Sequence, residues 1–327
     1  MPTESTDTFL NIEPIDLSNV GFTRDMLKGE AAVVTGGASN VGLGYARALA
    51  WAGANVVITD INEEAGAEAE RVINAENAPG AALFVRCDIT QEGDVKNLAE
   101  KAFARYGKVD ILVNNAMNML LNGLVMSSPV SDLDQSYAIS GRGVMLAIKE
   151  FVPAMAARKH GVVTYSSTQF HYCLPMVGGP IYCAGKAAAT SIVMSLANEM
   201  NGTGVNVFCL TPTGVGRFDP TDPEKLPPLP DWAPKMEPEQ FKTPGFDTYG
   251  YPPEASGAAL VYCILNAPAL HGSGVALFDA LKAMNYPYPH PESLKKAPER
   301  PKSRRLNHME LTTVFLNMGP GFAGFSD

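Results

Sequence analysis

Tyr182-Cys183-Ala184-Gly185-Lys186 sets a phenol and an ammonium four residues apart. On a helix, side chains so spaced share one face. A free tyrosine ionises near pH 10, too high for a base at neutral pH. A fixed cation beside it favours the phenolate and lowers that value. The pair therefore reads as a general acid/base that moves a hydroxyl proton. The Y-x-x-x-K spacing alone is a common coincidence, and Ser166-Ser167, shortly before the tyrosine at the end of an apolar run, supports it. A serine at that place can hydrogen-bond a carbonyl oxygen as it gains alkoxide charge.

A second constellation lies near the start of the chain, in Thr35-Gly36-Gly37-Ala38-Ser39-Asn40-Val41-Gly42-Leu43-Gly44. An apolar run enters it and a helical pattern leaves it. A turn that reverses beside a diphosphate needs residues that tolerate positive φ or a close backbone approach. The helix that follows offers free N–H groups and the positive end of its dipole. Gly36, Ser39, Asn40, Val41 and Gly42 are the candidate phosphate contacts. Asp60 ends the next apolar run, VVITD, close to the spacing of about 20 residues expected of an acid that binds the adenosine ribose hydroxyls. A carboxylate there repels a 2′-phosphate, and Ile61 and Asn62 bring no compensating cation. This favours NAD over NADP.

Both constellations need a scaffold that presents strand ends side by side. Ala31–Thr35, Asn55–Thr59, Ala81–Val85, Asp110–Val113, Gly161–Ser166, Val205–Leu210 and Val275–Phe278 read as buried strands. Apolar runs without alternation suit a parallel sheet covered on both faces. Helical patterns fall between them at Gly42–Ala52, Glu63–Asn77, Glu92–Tyr106, Asp132–Arg158, Tyr182–Met200 and Glu254–Asn266. Strand and helix in alternation predict right-handed βαβ units in a doubly wound α/β sheet.

Composition narrows the function classes. The 327 residues carry 25 Lys and Arg against 34 Asp and Glu, a net charge of −9, which argues against a general nucleic-acid binder. The five cysteines form no C-x-x-C pair and no disulfide framework. The five histidines are scattered without metal-ligand spacing, so no metal is expected. The N-terminus lacks the pattern of a signal or transit peptide, no apolar stretch is long enough for a membrane span, and a cytoplasmic location is expected. Prolines are unevenly spread: 11 of the 25 fall in 212–253. Proline lacks an amide donor and fixes φ, so that segment reads as an ordered excursion or lid outside the sheet. Residues 281–327 form a tail with 7 basic and 4 acidic residues. It reads as a solvated basic segment or as an arm lying on an acidic neighbouring subunit.

Taken together, TGGASNVG at 35–42, Asp60, CDIT at 87–90, NNA at 114–116, SS at 166–167 and YCAGK at 182–186 resemble the short-chain dehydrogenase/reductase family, in the family's order and over about residues 28–280. The resemblance implies hydride transfer between a nicotinamide cofactor and an alcohol/carbonyl pair. It assigns Tyr182 as acid/base and Ser167 as holder of the substrate oxygen. Lys186 tunes the tyrosine and holds the nicotinamide ribose. Asp88 and Ile89 frame the adenine, Asn115 lies on the adenosine side, and Val215 joins the cofactor contacts. It further implies a homo-oligomer, dimer or tetramer, acting on a small alcohol or ketone.

The chain departs from the family's pattern at several positions. Asn40 replaces a glycine, and Met117 follows NNA where glycine is usual. Ser140 stands where the family often has an asparagine of a proton relay. Arg217 stands where a threonine is usual, and it either faces solvent, pairs with an acid, or binds a carboxylate or phosphate. Met117, Met119, Phe170, Tyr172 and Phe218 could form an apolar pocket, with Gln169, His171 and Arg217 as polar contacts. The overall expectation is one Rossmann-type domain over 28–280, with an extension at 1–27, a substrate lid at 212–253 and a tail at 281–327. The expected activity is that of an NAD-dependent alcohol dehydrogenase or ketone reductase. A catalytically silent NAD-binding partner subunit and a lyase or epimerase on the same fold are the alternatives.

Overall fold

Seven short runs rich in Val, Ile, Leu and Ala pair in parallel, and their side chains alternate between two apolar layers. The computed structural model describes residues 15–76, 78–118, 125–126, 128–168, 179–212 and 253–286, all inside one compact unit, Met1–Tyr288. The strands are β1 Ala31–Thr35, β2 Asn55–Asp60, β3 Ala82–Arg86, β4 Ile111–Asn114, β5 Gly161–Ser166, β6 Val205–Thr211 and β7 Gly274–Ala276. Their order in the sheet is β3-β2-β1-β4-β5-β6-β7. The direction of winding reverses between β1 and β4, which pair as Ala32 to Ile111, Val33 to Leu112 and Val34 to Val113. In such sheets the crevice for ligands opens at the carboxyl ends of the strands beside this reversal.

The helices are α1 Asn40–Trp51, α2 Glu63–Ala75, α3 Glu92–Tyr106, α4 Val130–Tyr137, α5 Val144–Arg158, α6 Pro180–Met200, α7 Pro253–Leu265, α8 Ala267–Leu270 and α9 Leu277–Ala283. One core layer joins Ala32, Val34, Val56 and Ile58 of the sheet to α1, α2, α7 and α9. The other joins Val33, Val57, Leu112 and Val163 to α3, α5 and α6. Adjacent strand residues thus point to opposite layers, the period of two that an extended backbone imposes. Ile15, Leu17, Phe22 and Leu27, ahead of the first strand, are also buried in the first layer. Arg47, wholly buried on α1, gives Nε to Glu76 at 2.7 Å and Nη1 to Glu254 at 2.6 Å, tying α1 to the end of α2 and the start of α7.

Besides small shifts of bounds and the unexpected α8 and α9, two elements differ from the sequence reading. The single helix expected over Asp132–Arg158 is α4 and α5 joined by a π-helical turn, Ala138–Gly143. The wider turn carries two glycines and buries Ser140 against α6. The last strand, expected over Val275–Phe278, ends at Ala276, because Leu277 already opens α9 and buries its side chain in the first layer. Among the described residues no helix is long and apolar enough to cross a membrane.

Candidate active site

The glycine turn closes on the carboxyl end of β1. Gly36 has φ of 62° and Asn40 has φ of 46°, so the asparagine that replaces a glycine does adopt the left-handed conformation. A Cβ on Gly42 would collide with the Gly36 carbonyl and the Asn115 amide, which makes glycine necessary there. Asn115, just past β4, pins the turn: Nδ2 donates to the carbonyls of Thr35 at 3.2 Å and Gly36 at 3.0 Å. Thr35 answers by accepting the backbone N–H groups of Asn115 (2.9 Å) and Ala116 (3.1 Å) at Oγ1. Ser39 stands at the N-cap of α1, yet its side chain makes no capping hydrogen bond. The hydroxyl and the first N–H groups of α1 are the donor set that an anion at a helix N-terminus requires.

Asp60 ends β2 facing this turn, accepting from the Ala38 N–H at 3.4 Å and the Asn62 N–H at 3.1 Å. Asp88 is differently engaged. Its Oδ1 accepts both the N–H (3.0 Å) and the hydroxyl (2.7 Å) of Thr90, so the carboxylate closes its own turn. Ile89 packs against the π-helical turn at Gly143. The turn thereby meets the segment that follows β3, and Arg142 of the turn donates to the Thr90 carbonyl.

The catalytic candidates gather at the ends of β4 and β5 under α6. Lys186 is buried, and its Nζ donates to the Ser166 carbonyl at 2.6 Å. Nζ lies 4.9 Å from the ring centre of Tyr165 and 5.6 Å from that of Tyr182. The Ser166 hydroxyl turns the other way, donating to Asn115 Oδ1 at 3.0 Å and linking the two constellations. Ser167 Oγ shares a hydrogen bond with Thr190 Oγ1 at 2.8 Å. Ser140 is fully buried and donates to the Met117 sulfur at 3.2 Å, so these two departures from the family pattern touch each other. Gly185 lets α6 approach this wall, since a Cβ there would strike the Ser136 hydroxyl and crowd that of Ser140.

The electrostatics correct one expectation. Burial pushes the Tyr182 phenol up to about 12, offset in part by a hydrogen bond with Thr168. Burial pulls the Lys186 ammonium down to about 7, opposed by Cys209. The lysine therefore does not hold the tyrosine below its ordinary value here. Desolvation disfavours the charged form of both groups. At neutral pH Tyr182 is a protonated donor and Lys186 is near its midpoint.

Sequence reading did not assign Thr190 to the site. Thr190 lies at i+4 from Lys186 and i+8 from Tyr182, so helical spacing alone could have found it. Gln169, Phe170, His171, Tyr172, Val215, Arg217 and Phe218 lie outside the described residues, as do Met119, most of the 212–253 segment and most of the 281–327 tail. Among the described residues, Glu30, Asp110 and His160 bring their possible ligand atoms within 4.8 Å of one another. They sit at the amino ends of β1, β4 and β5, across the sheet from this site. Lys108 and Arg158 already neutralise Asp110 there, and His160 meets Glu30.

A doubly wound parallel sheet with a glycine turn after β1 and a Tyr–Lys pair beside a strand-end serine defines a class of α/β enzyme scaffold. The chain matches the short chain dehydrogenase model over residues 30–220 and belongs to that family of oxidoreductases. It is 31% identical over 204 residues to Tropinone reductase-like 1 of Erythroxylum coca, covering 61% of this chain and 72% of that protein. Secoisolariciresinol dehydrogenase of Forsythia intermedia is 30% identical over 196 residues, covering 58% and 67%. A metagenomic short-chain oxidoreductase crystallised in complex with NADP superposes with a TM-score of 0.54 at 29% identity, over 58% of this chain and 85% of that one.

Proposed function

We propose that the chain is an NAD(H)-dependent oxidoreductase interconverting a secondary alcohol and a ketone. The observation that supports this reading is the placement of Lys186 against the Tyr182 ring and on the Ser166 carbonyl, with Ser167 bonded to Thr190 of the same helix. Hydride chemistry would come from a nicotinamide dinucleotide, which the donor set at the start of α1 fits. Gly36, Ser39, Asn40, Val41, Gly42, Asp60, Asp88, Ile89 and Asn115 would hold it, together with Val215, Tyr182 and Lys186. Ser167 holds the substrate oxygen. Tyr182 gives its phenolic proton to that oxygen as alkoxide charge develops, and takes it back in the reverse direction. Ser140 belongs to the same wall through Met117.

The preference for NAD over NADP rests on Asp60, whose carboxylate faces the turn where an adenosine ribose would lie and would repel a 2′-phosphate. The relative that holds NADP makes this choice worth direct measurement. Titration of bound-nucleotide fluorescence should show tighter binding of NADH than of NADPH, and Asp60→Ala should narrow the gap. Equal affinities in the unaltered protein would overturn the NAD assignment.

The domain over 28–280, a lid over 212–253, a cytoplasmic location, a homo-oligomeric state and a small-molecule substrate complete the reading. The decisive test follows NADH absorbance with a panel of ketones and secondary alcohols. Tyr182→Phe should lower turnover on the order of 10²–10⁴-fold while leaving nucleotide affinity nearly unchanged. Turnover that survives the substitution would remove Tyr182 from its role. Nucleotide binding with no NADH change across the panel would favour the silent-subunit or lyase and epimerase alternatives instead.

A further inference from the structure

Tyr165 lies on β5 two residues before Ser167, so the strand's alternation sends both side chains toward α6. Its side chain is fully buried in the layer formed by α3, α5 and α6. The ring lies under Lys186, with Nζ 4.9 Å from its centre, while Tyr182 presents its own ring 5.6 Å from the same nitrogen. The ammonium is thus in reach of two aromatic faces, and its hydrogen bond is to the Ser166 carbonyl. Among the described residues it has no ion-pair partner. The Tyr165 hydroxyl is buried without a hydrogen bond of ordinary geometry. Ser140, whose hydroxyl favours the Tyr165 phenolate, already donates to the Met117 sulfur. The polar end of Tyr165 is therefore poorly served, while its ring face is well placed.

We infer that Tyr165 is a positioning residue whose ring face holds the Lys186 ammonium at Tyr182. A cation within about 6 Å of an aromatic centre is attracted by the ring quadrupole, and the attraction grows when both are withdrawn from water. The titratable groups that face Lys186 are Tyr165 from β5, Cys209 from β6 and Tyr182 on its own helix, with the Ser140 hydroxyl nearby from the π-helical turn. Burial holds all three of those acids in their neutral forms at physiological pH. None then supplies a negative charge, so the Ser166 carbonyl and the two ring quadrupoles are left to favour the ammonium over the amine. Tyr165 acts through Lys186, and the inference rests on the proposed role of Tyr182 and Lys186 only for its catalytic consequence.

The test reads Lys186 directly, by the 13Cε resonance of labelled lysine, assigned by its loss in Lys186→Arg. Tyr165→Ile, which suits a buried strand, should lower the Lys186 pKa by about one unit, the size of a desolvated cation–π contact. Tyr165→Phe keeps the ring and should leave the pKa nearly unchanged. Should Tyr165→Ile fail to fold, fluorinated phenylalanines at 165 keep the shape and drain the negative face of the ring, and the pKa should fall with each added fluorine. An unchanged pKa in Tyr165→Ile or across the fluorinated series overturns the inference. So does a fall in Tyr165→Phe as large as in Tyr165→Ile, which would assign the effect to the hydroxyl. These measurements need no substrate, so they stand apart from the oxidoreductase reading. If that reading also holds, the pH profile of kcat/KM moves in Tyr165→Ile and not in Tyr165→Phe.

Discussion

β1, β4 and β5 carry opposite chemistry at their two ends. At the amino ends stand Glu30, Asp110 and His160, and charge there is matched. Asp110, buried, receives Lys108 at 2.9 Å, Arg158 at 2.9 Å and the Ala31 N–H at 3.0 Å. At the carboxyl ends stand Thr35, Asn115 and Ser166, neutral groups that bond to each other and to the glycine turn, with Ser167 bonded to Thr190 beside them. Lys186 is buried among them with a carbonyl for its partner. A matched buried charge fixes strands in place and does nothing further. An unmatched one is held away from its ordinary protonation state, the condition that acid/base chemistry near neutral pH requires.

The largest expected effect is at the unmatched end. Lys186→Met should reduce turnover on the order of 10²–10⁴-fold and should also change how stability depends on pH. In the fold Lys186 titrates at about 7, against 10.5 for a free lysine. Between those values the unfolded chain binds the extra proton, so its stability rises as pH climbs through that window. Below it, both states are protonated and the whole cost of burying the charge remains. Lys186→Met removes both the cost and the slope. Urea midpoints should therefore rise in the variant near pH 6 and converge with the unaltered protein toward pH 10 (~), by this linkage. Unchanged midpoints at low pH would show that the buried ammonium is better compensated than its contacts suggest.

The two ends were unequally legible in the sequence. The carboxyl end depends on local patterns. The glycines of 36–42, the serines at the end of β5 and the Tyr182–Lys186 spacing each signal their geometry within a few residues. The doubly wound parallel sheet followed from alternation, and β5 and α3 were bounded to the residue. The amino end depends on contacts between segments some 50 to 130 positions apart, such as Arg158 with Asp110 and His160 with Glu30, which no local pattern encodes. The same reason hid Tyr165. As a strand residue it reads as packing, and only the placement of α6 over β5 brings Lys186 onto its ring. The π-helical turn was hidden differently, because its apolar spacing continues that of the flanking helices while Gly141 and Gly143 admit the wider turn. The opposed shifts of Tyr182 and Lys186 required the burial of both, which spacing does not reveal.

An intermediate effect is expected at Asp110. Asp110→Asn withdraws the negative charge from two cations while leaving a side-chain oxygen for the Ala31 N–H. Lys108 and Arg158 are about one third exposed, so water takes over part of their solvation. The loss should be about 1–3 kcal/mol of stability, below that of a fully enclosed ion pair. Turnover per folded molecule should not change, since the residue lies at the far end of the sheet from the proposed chemistry. A fall in kcat without a fall in stability would break the division between the two ends.

The smallest effect belongs to the rim of the same cluster. His160 pairs with Glu30 at 3.0 Å, but its side chain is 57% exposed. An exposed pair gains little in water and spends side-chain entropy to form, so His160→Gln should cost less than about 1 kcal/mol. About 1 M salt, where charges are screened within roughly 3 Å, should erase most of that difference. The salt response separates rim from centre, because Asp110 is enclosed and its loss should persist under the same conditions. A salt-resistant cost for His160→Gln as large as that for Asp110→Asn would mean that the two pairs act as one network. The amino ends of β1 and β5 would then be held through His160 as firmly as that of β4 is held through Asp110.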